Sequence, residues 1–156
     1  MTGTADLCDL HPAEVLILRG AWRWFGQIRY LAGPIATLEA RGCNAELREL
    51  LAQPGRSRVL VIDGGGDPAA LLGDNLAKKA LASGWAGIFI NGNVRDCQAL
   101  AALPLPVLAA GAWPQRSKNQ QGGCSAIPLS IGDTVLHPGD WLYADEDGVL
   151  LSKRQL

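Results

Sequence analysis

The sequence contains no apolar stretch approaching the roughly 18 residues needed to cross a bilayer, so a membrane-spanning helix is not expected. Its opening, Met1 to Val15, lacks both a basic region and an apolar core of the secretory type, which points to a soluble, cytoplasmic protein with no membrane partner. Charge of one sign is equally scarce. The net charge is −1, and the basic residues near Arg116 and Lys118 are too sparse to form an electrostatic footprint for nucleic acid, so direct nucleic-acid binding is not expected. Cysteine is thin and scattered: Cys8, Cys43, Cys97 and Cys124 form no CxxC pair and read as free thiols in a chain long enough to need no disulfide staples. Cys97 has no histidine near it in sequence to activate it as a nucleophile.

With 156 residues and no evident linker, the chain suits one domain spanning residues 1–156. Two continuous apolar runs, Arg58-Val-Leu-Val-Ile62 and Ala86-Gly-Ile-Phe-Ile90, have strand length. Between them Leu76, Ala77, Ala80 and Leu81 recur at helical spacing before a stop at Gly84, which predicts a parallel βαβ unit. A helix of about nine residues rises roughly 14 Å, and a strand of five or six covers about 17–20 Å. The two lengths nearly cancel. Asp74 at the helix start therefore returns to the same carboxyl edge of the sheet as Arg95 and Asp96, just past the second strand, where open α/β sheets place their ligands.

The remaining chain supports a mixed α/β class. Thr4 to Val15 reads as a helix capped by Thr4 or Asp6, followed by the apolar run Val15-Leu-Ile-Leu18. Trp22, Trp24 and Phe25, then Ile28, Tyr30 and Ile35-Ala-Thr-Leu38, suggest strands broken at Gly26 and at Gly33-Pro34, with the aromatics in a core or subunit interface. Asn44 caps a helix through Ala52 that has Leu47, Leu50 and Leu51 on one stripe and solvated Glu46 and Glu49. Gln98 to Leu103 forms a short helix, Val107 to Ala110 a strand, Gly111 to Gly123 a loop, and Ile127 to Leu151 a series of short strands joined by tight turns. Gly64, Gly66 and Ala69 imitate the G-x-G-x-x-A dinucleotide fingerprint. Asp63 and Asp67 flank the glycines and would repel a pyrophosphate, so nucleotide binding is disfavoured there.

Asp74, Arg95 and Asp96 form a D-x20-R-D pattern. One reading is a helix cap beside a surface ion pair. The chemical reading gives Asp96 a hard divalent cation, Arg95 a carboxylate or keto oxygen held by its planar fork, and the N–H groups near Asn75 and Leu76 an anionic group, a set that suits a small 2-keto acid. Lys78 and Lys79 invite a metal-free Schiff-base mechanism, but both lie off the apolar stripe of their helix.

Several motifs together resemble the family of the regulator of ribonuclease activity A and the class II 4-hydroxy-4-methyl-2-oxoglutarate aldolases. They are Ala5-Asp-Leu-Cys-Asp9, Phe25-Gly26, Val61-Ile-Asp-Gly-Gly-Gly66, Gly73-Asp-Asn-Leu76, Gly92-Asn-Val-Arg-Asp96, Pro138-Gly-Asp140 and Ala144-Asp-Glu-Asp-Gly-Val149. The resemblance implies a three-layer β/β/α sandwich related to swivelling phosphohistidine domains, assembled as a homotrimer with sites between subunits. It further implies that Gly73, Asp74, Asn75, Leu76 and Arg95 bind pyruvate or its precursor, that Asp74 and Arg95 are catalytic, and that Asp96 holds magnesium or manganese largely through waters. Regulators in the family that lack aldolase activity lose the D-x20-R-D pattern, which this chain keeps. The alternative implied by the family is a non-enzymatic inhibitor of ribonuclease E. Two departures stand out: Gln27 occupies a position where a second glycine often follows Phe-Gly, and no carboxylate after Leu151 matches one supplied by a longer tail in some aldolases.

Overall fold

Two apolar faces on the same strands decide the architecture. In the computed structural model, which describes residues 2–41, 44–118 and 122–156, the chain begins with α1 (Thr4–Leu10), β1 (Val15–Ile17), β2 (Arg23–Trp24) and β3 (Leu31–Glu39). The central part is α2 (Ala45–Ala52), β4 (Val59–Asp63), β5 (Ala70–Leu72), α3 (Asp74–Ala82), β6 (Gly87–Val94), α4 (Cys97–Ala101) and β7 (Val107–Ala112). Short strands follow: β8 (Cys124–Ser125), β9 (Leu129–Ile131), β10 (Thr134–Leu136), β11 (Trp141–Ala144) and β12 (Val149–Ser152).

β4 and β6 are adjacent and parallel, as the βαβ reading requires, with β3 parallel to β4 and β7 parallel to β6 on the two sides. Side chains alternate across a strand. Leu60, Ile62, Ile88, Ile90, Val107 and Ala109 therefore face one way and pack with Leu47 and Leu51 of α2, Ala77 and Ala80 of α3, and Leu100 of α4. Val59, Val61, Phe89 and Leu108 face the other way and pack with Leu129, Ile131, Leu136, Leu142, Val149 and Leu151 from the late strands. Because both faces are covered, these strands carry continuous apolar runs rather than alternation. The result is a helix layer, a parallel sheet and a second β layer, the expected β/β/α sandwich.

Several local expectations are corrected. Gly33-Pro34 does not break a strand: β3 is continuous over nine residues but changes partners there, running antiparallel to β11 through Pro34 and parallel to β4 from Ile35. The proline's missing N–H thus falls at the exchange. Of the aromatic stretch only Arg23–Trp24 is strand; Ile28 and Tyr30 lie outside. Gly26 is fixed by close approach, since a Cβ would collide with the Leu105 carbonyl oxygen. Trp22 and Trp24 pack against the core as expected, Trp22 meeting Phe89 edge-on with ring centroids 5.0 Å apart.

Neither Thr4 nor Asp6 caps α1, whose N-cap is Gly3; the Thr4 hydroxyl instead donates to Asp145 Oδ1 at 2.6 Å. Asn44 holds the N-cap position of α2 without a side-chain cap bond, its carboxamide oxygen accepting from Arg48 Nη2 at 3.2 Å. Cys8, Cys97 and Cys124 are free thiols, and Cys43 lies outside the described residues. Among the described residues, no helix is long and apolar enough to cross a membrane.

Candidate functional site

The site is built where β5, β6 and α3 meet. Val94 ends β6 fully buried, and the next residue, Arg95, donates its backbone N–H to the Leu72 carbonyl at 2.9 Å, which ties the end of β6 to the end of β5. Asp96 then enters the left-handed region at φ 58°, a conformation that aspartate tolerates better than most residues. Its carbonyl accepts the Leu100 N–H at 2.9 Å, so the turn is locked from behind by α4. This leaves the Arg95 and Asp96 side chains facing the start of α3.

Gly73 closes the other side. Its backbone is extended, and a Cβ at this position would lie 2.5 Å from Asp96 Oδ2 and 3.4 Å from Arg95 Cγ. Only a residue without a side chain lets the two segments approach this closely. Asp74 donates its N–H toward Asp96 Oδ2 at 3.4 Å, and its own carboxylate accepts Lys78 Nζ at 2.7 Å, one helical turn on. That Lys78 hydrogen bond holds the Asp74 carboxyl below its ordinary range, against a smaller opposing effect of burial and with help from the Lys78 charge and the Asn75 N–H. Asp74 is therefore an ionised acceptor near neutral pH.

The structure brings together Gly73, Asp74, Asn75, Leu76, Arg95 and Asp96, all lining one cavity of about 150 Å³. Part of the anion-binding expectation changes, because the Asp74 and Asn75 N–H groups already have carboxylate partners. Beside Ala70, Leu71 and Leu72 of β5, the lining residues Asn44, Arg48 and Arg116 were not legible as site residues, since they arrive from the start of α2 and from the segment after β7. Larger clefts exist, one of about 460 Å³ beside Glu46 and Arg58 and one of about 490 Å³ beside Trp22 and Trp24. Neither shares a residue with the D-x20-R-D pattern, so donor chemistry rather than size selects the smaller cavity.

The surface-pair reading of Arg95 and Asp96 holds in part, since the two side chains form a long, exposed ion pair. Their single contact is 3.7 Å from Nε to Oδ2, with both side chains more than a third exposed, an arrangement that contributes little to stability. The terminal guanidinium nitrogens of Arg95 have no hydrogen-bond partner among the described residues. Among the described residues, no group of three or more His, Cys, Asp or Glu is placed to hold a metal ion. Asp96, exposed and with Asp74 beside it, suits instead a hard cation that takes one or two carboxylates and keeps most of its waters, as magnesium does.

Lys78 is exposed and ion-paired, without the apolar surroundings that activate a Schiff-base lysine, and Lys79 is exposed on the same helix. The dinucleotide reading also lacks its structural context. The turn at Gly65 and Gly66, with φ of 66° and 81°, leads into β5 and not into a helix N-terminus.

The family model described as "RraA-like: Aldolase/RraA" matches residues 4–151. Proteins from Burkholderia mallei (strain SAVP1) and Burkholderia pseudomallei (strain K96243), each named "Putative 4-hydroxy-4-methyl-2-oxoglutarate aldolase", are 46% identical over 158 aligned positions that cover 97% of this chain and 96% of theirs. A solved structure from Thermus thermophilis, described as the RNA-processing inhibitor RraA, superposes with a TM-score of 0.94 at 38% identity, covering 100% of this chain and 95% of the other. A structure from Geobacillus kaustophilus, described as an S-adenosylmethionine: 2-dimethylmenaquinone methyltransferase, gives 0.94 at 39% identity with 99% and 97% coverage.

Proposed function

Because this chain belongs to the RraA-like family, we propose that it is a cytoplasmic, divalent-metal-dependent lyase that cleaves 4-hydroxy-4-methyl-2-oxoglutarate to pyruvate and decarboxylates oxaloacetate. The observation that carries this reading is the convergence of Asp74, Arg95 and Asp96 on one cavity, at the close approach that Gly73 permits. The names of the Burkholderia relatives support the aldolase half.

Both reactions pass through the enolate of pyruvate, so one set of groups serves both. The Arg95 guanidinium, with its terminal nitrogens uncommitted, donates to the keto-acid end of the substrate and stabilises the negative charge that develops on the C2 oxygen. Asp74 accepts a hydrogen bond from a water and orients it toward the C4 hydroxyl. In the aldol cleavage the C4 hydroxyl loses its proton to that water, the C3–C4 bond breaks and its electron pair forms the enolate. C4 leaves as the carbonyl of one pyruvate, and a proton returned to C3 completes the other. In oxaloacetate the bond to the departing carboxylate breaks instead, with carbon dioxide leaving. Because Lys78 keeps Asp74 ionised, Asp74 is suited to positioning a water rather than to holding a proton itself. A divalent cation held by Asp96, with Asp74 beside it, supplies Lewis-acid polarisation of the keto oxygen when bound.

The test is pyruvate release from both substrates, with magnesium or manganese and again after chelation. Release well above the protein-free metal control, abolished by the chelator, is expected. Turnover no higher than that control overturns the reading, and a borohydride-trapped adduct with pyruvate replaces it with a lysine mechanism.

The likeness to the Thermus inhibitor supports a second reading, a protein that acts on a ribonuclease by surface contact alone. Inhibition of ribonuclease E that persists in Asp96→Asn, in a protein without pyruvate release, favours that reading.

A further inference from the structure

The mechanism above uses one arginine, yet the cavity has three. Arg48 stands on α2 and Arg116 follows β7, so arginines from three separate segments line the same space as Asp74 and Asp96. The two carboxylates already have cations of their own: Lys78 at 2.7 Å from Asp74, and Arg95 at 3.7 Å from Asp96. Neither Arg48 nor Arg116 forms an ion pair among the described residues.

Both are placed by neighbouring groups. The Arg48 Nη2 donates to Asn44 Oδ1 at 3.2 Å, one turn back along α2, which steers the guanidinium along the cavity wall and leaves its remaining N–H groups uncommitted. Arg116 is bracketed by backbone bonds to Ala70, which donates to the Gln115 carbonyl at 2.9 Å and accepts the Ser117 N–H at 3.3 Å. That bridge pins the base of Arg116 to β5, three residues before Gly73. Arg48 and Arg116 are both exposed on the wall of this cavity, and the planar guanidinium fork matches a carboxylate. The cavity, at about 150 Å³, is well below the roughly 300–1,000 Å³ of sites for drug-sized ligands, which suits a short acid.

We propose that Arg48 and Arg116 receive a second carboxylate, so that the site selects short 2-keto acids that carry a carboxylate at each end. This rests on the lyase reading above. Arg95 takes the keto-acid end, and the far carboxylate enters between the other two arginines. Monocarboxylic 2-keto acids leave those two arginines without an anionic partner and bind less well.

The experiment compares 4-hydroxy-4-methyl-2-oxoglutarate with 4-hydroxy-4-methyl-2-oxopentanoate, in which a methyl group replaces the far carboxylate while the same bond is cleaved. The proteins are the parent, Arg48→Met, Arg116→Met and the double variant; methionine keeps an unbranched stem and removes the charge. The parent is expected to favour the dicarboxylate in kcat/KM. In the double variant that advantage falls by about tenfold to a hundredfold, the scale of hydrogen bonds to charged groups, while the monocarboxylate loses far less. Equal losses on both substrates, or a parent with no preference, overturn the proposal. A parent that cleaves neither compound overturns the lyase reading by itself. The receptor is then tested by calorimetry with 2-oxoglutarate and 2-oxobutyrate: a parental preference for 2-oxoglutarate that the double variant loses supports it, and no parental preference overturns it.

Discussion

Three aspartates at turns invite comparison, two in the late β layer and one at the carboxyl edge of the parallel sheet. Asp140 is 8% exposed and accepts the His137 N–H at 2.9 Å and Lys153 Nζ at 2.9 and 3.1 Å. Asp145 accepts the Thr4 N–H at 2.7 Å, the Thr4 hydroxyl at 2.6 Å and the Asp147 N–H at 3.0 Å. Burial alone would raise the Asp145 carboxyl, but these donors hold it below its ordinary range. At the sheet edge, Asp96 has only the long approaches of Asp74 N–H and Arg95 Nε, at 3.4 and 3.7 Å, and its side chain is 41% exposed. Carboxylates that secure the fold have short, converging donors. Asp96, left with long contacts only, retains lone pairs for a ligand.

The largest expected effect separates the two classes. Asp96→Asn should lower pyruvate release by about 10²-fold or more, the scale of a lost transition-state electrostatic contact, and weaken metal binding in a direct titration. Part of the activity should return at high magnesium or manganese. Arg95→Lys should weaken turnover and substrate binding while leaving the metal titration unchanged, because lysine keeps the charge and loses the fork. Neither should shift the thermal midpoint appreciably, since surface changes alter stability by only about 0.5 kcal/mol. Unfolding of either variant would place Asp96 with Asp140 and erase the distinction.

Gly73→Ala should come next. The added methyl meets Asp96 Oδ2 at 2.5 Å, so Asp96 or the start of α3 must shift. A displacement near 1 Å is enough to lower turnover by roughly 10²-fold, and a structure of the variant should show the carboxylate moved with the sheet intact. Full activity would mean that the geometry at Asp96 is not critical.

The smallest effect on activity, and the clearest on stability, belongs to Asp145→Ala. It removes the acceptor for three donors and should destabilise the fold by about 2–3 kcal/mol, leaving the turnover of folded protein unchanged. The pH dependence follows from the sign of the shift. The folded-state value lies below the unfolded one, so this contribution is present above about pH 3.9 and is lost as pH falls through the folded value. The Ala variant should therefore show a flatter stability profile in acid, measured by denaturant titration at each pH.

What the sequence made legible depended on whether the signal was local. Val59–Asp63 and Gly87–Val94 are buried on both faces and so appear as apolar runs, and the helix between them shows its stripe; together these placed Asp74 against Arg95 and Asp96. Arg48 and Arg116 carried no such signal. One looks like an ordinary charge on a helix and the other like part of a sparse basic loop, and only the packing of α2 and the bridge to Ala70 bring them to the cavity. Ala70–Leu72 was hidden because three buried residues are too few to show a period. The Thr4 cap failed for the opposite reason, when a local preference was overridden by Asp145, 141 positions away. At Gly33-Pro34 the punctuation was real, but it marked an exchange of partners in β3.

That exchange has a consequence for how the protein is made. The first half of β3, Leu31 to Pro34, hydrogen-bonds to Trp141–Ala144, whereas its second half pairs with Val59–Asp63. As the chain leaves the ribosome, the parallel half of the strand can dock as soon as β4 emerges, but the other half waits for Trp141, 107 positions beyond Pro34. During that interval Leu31, Ile35, Val59, Val61 and Phe89 lack the cover of the late strands. The nascent sheet therefore carries one apolar face open to solvent, and it is there that chaperones would bind.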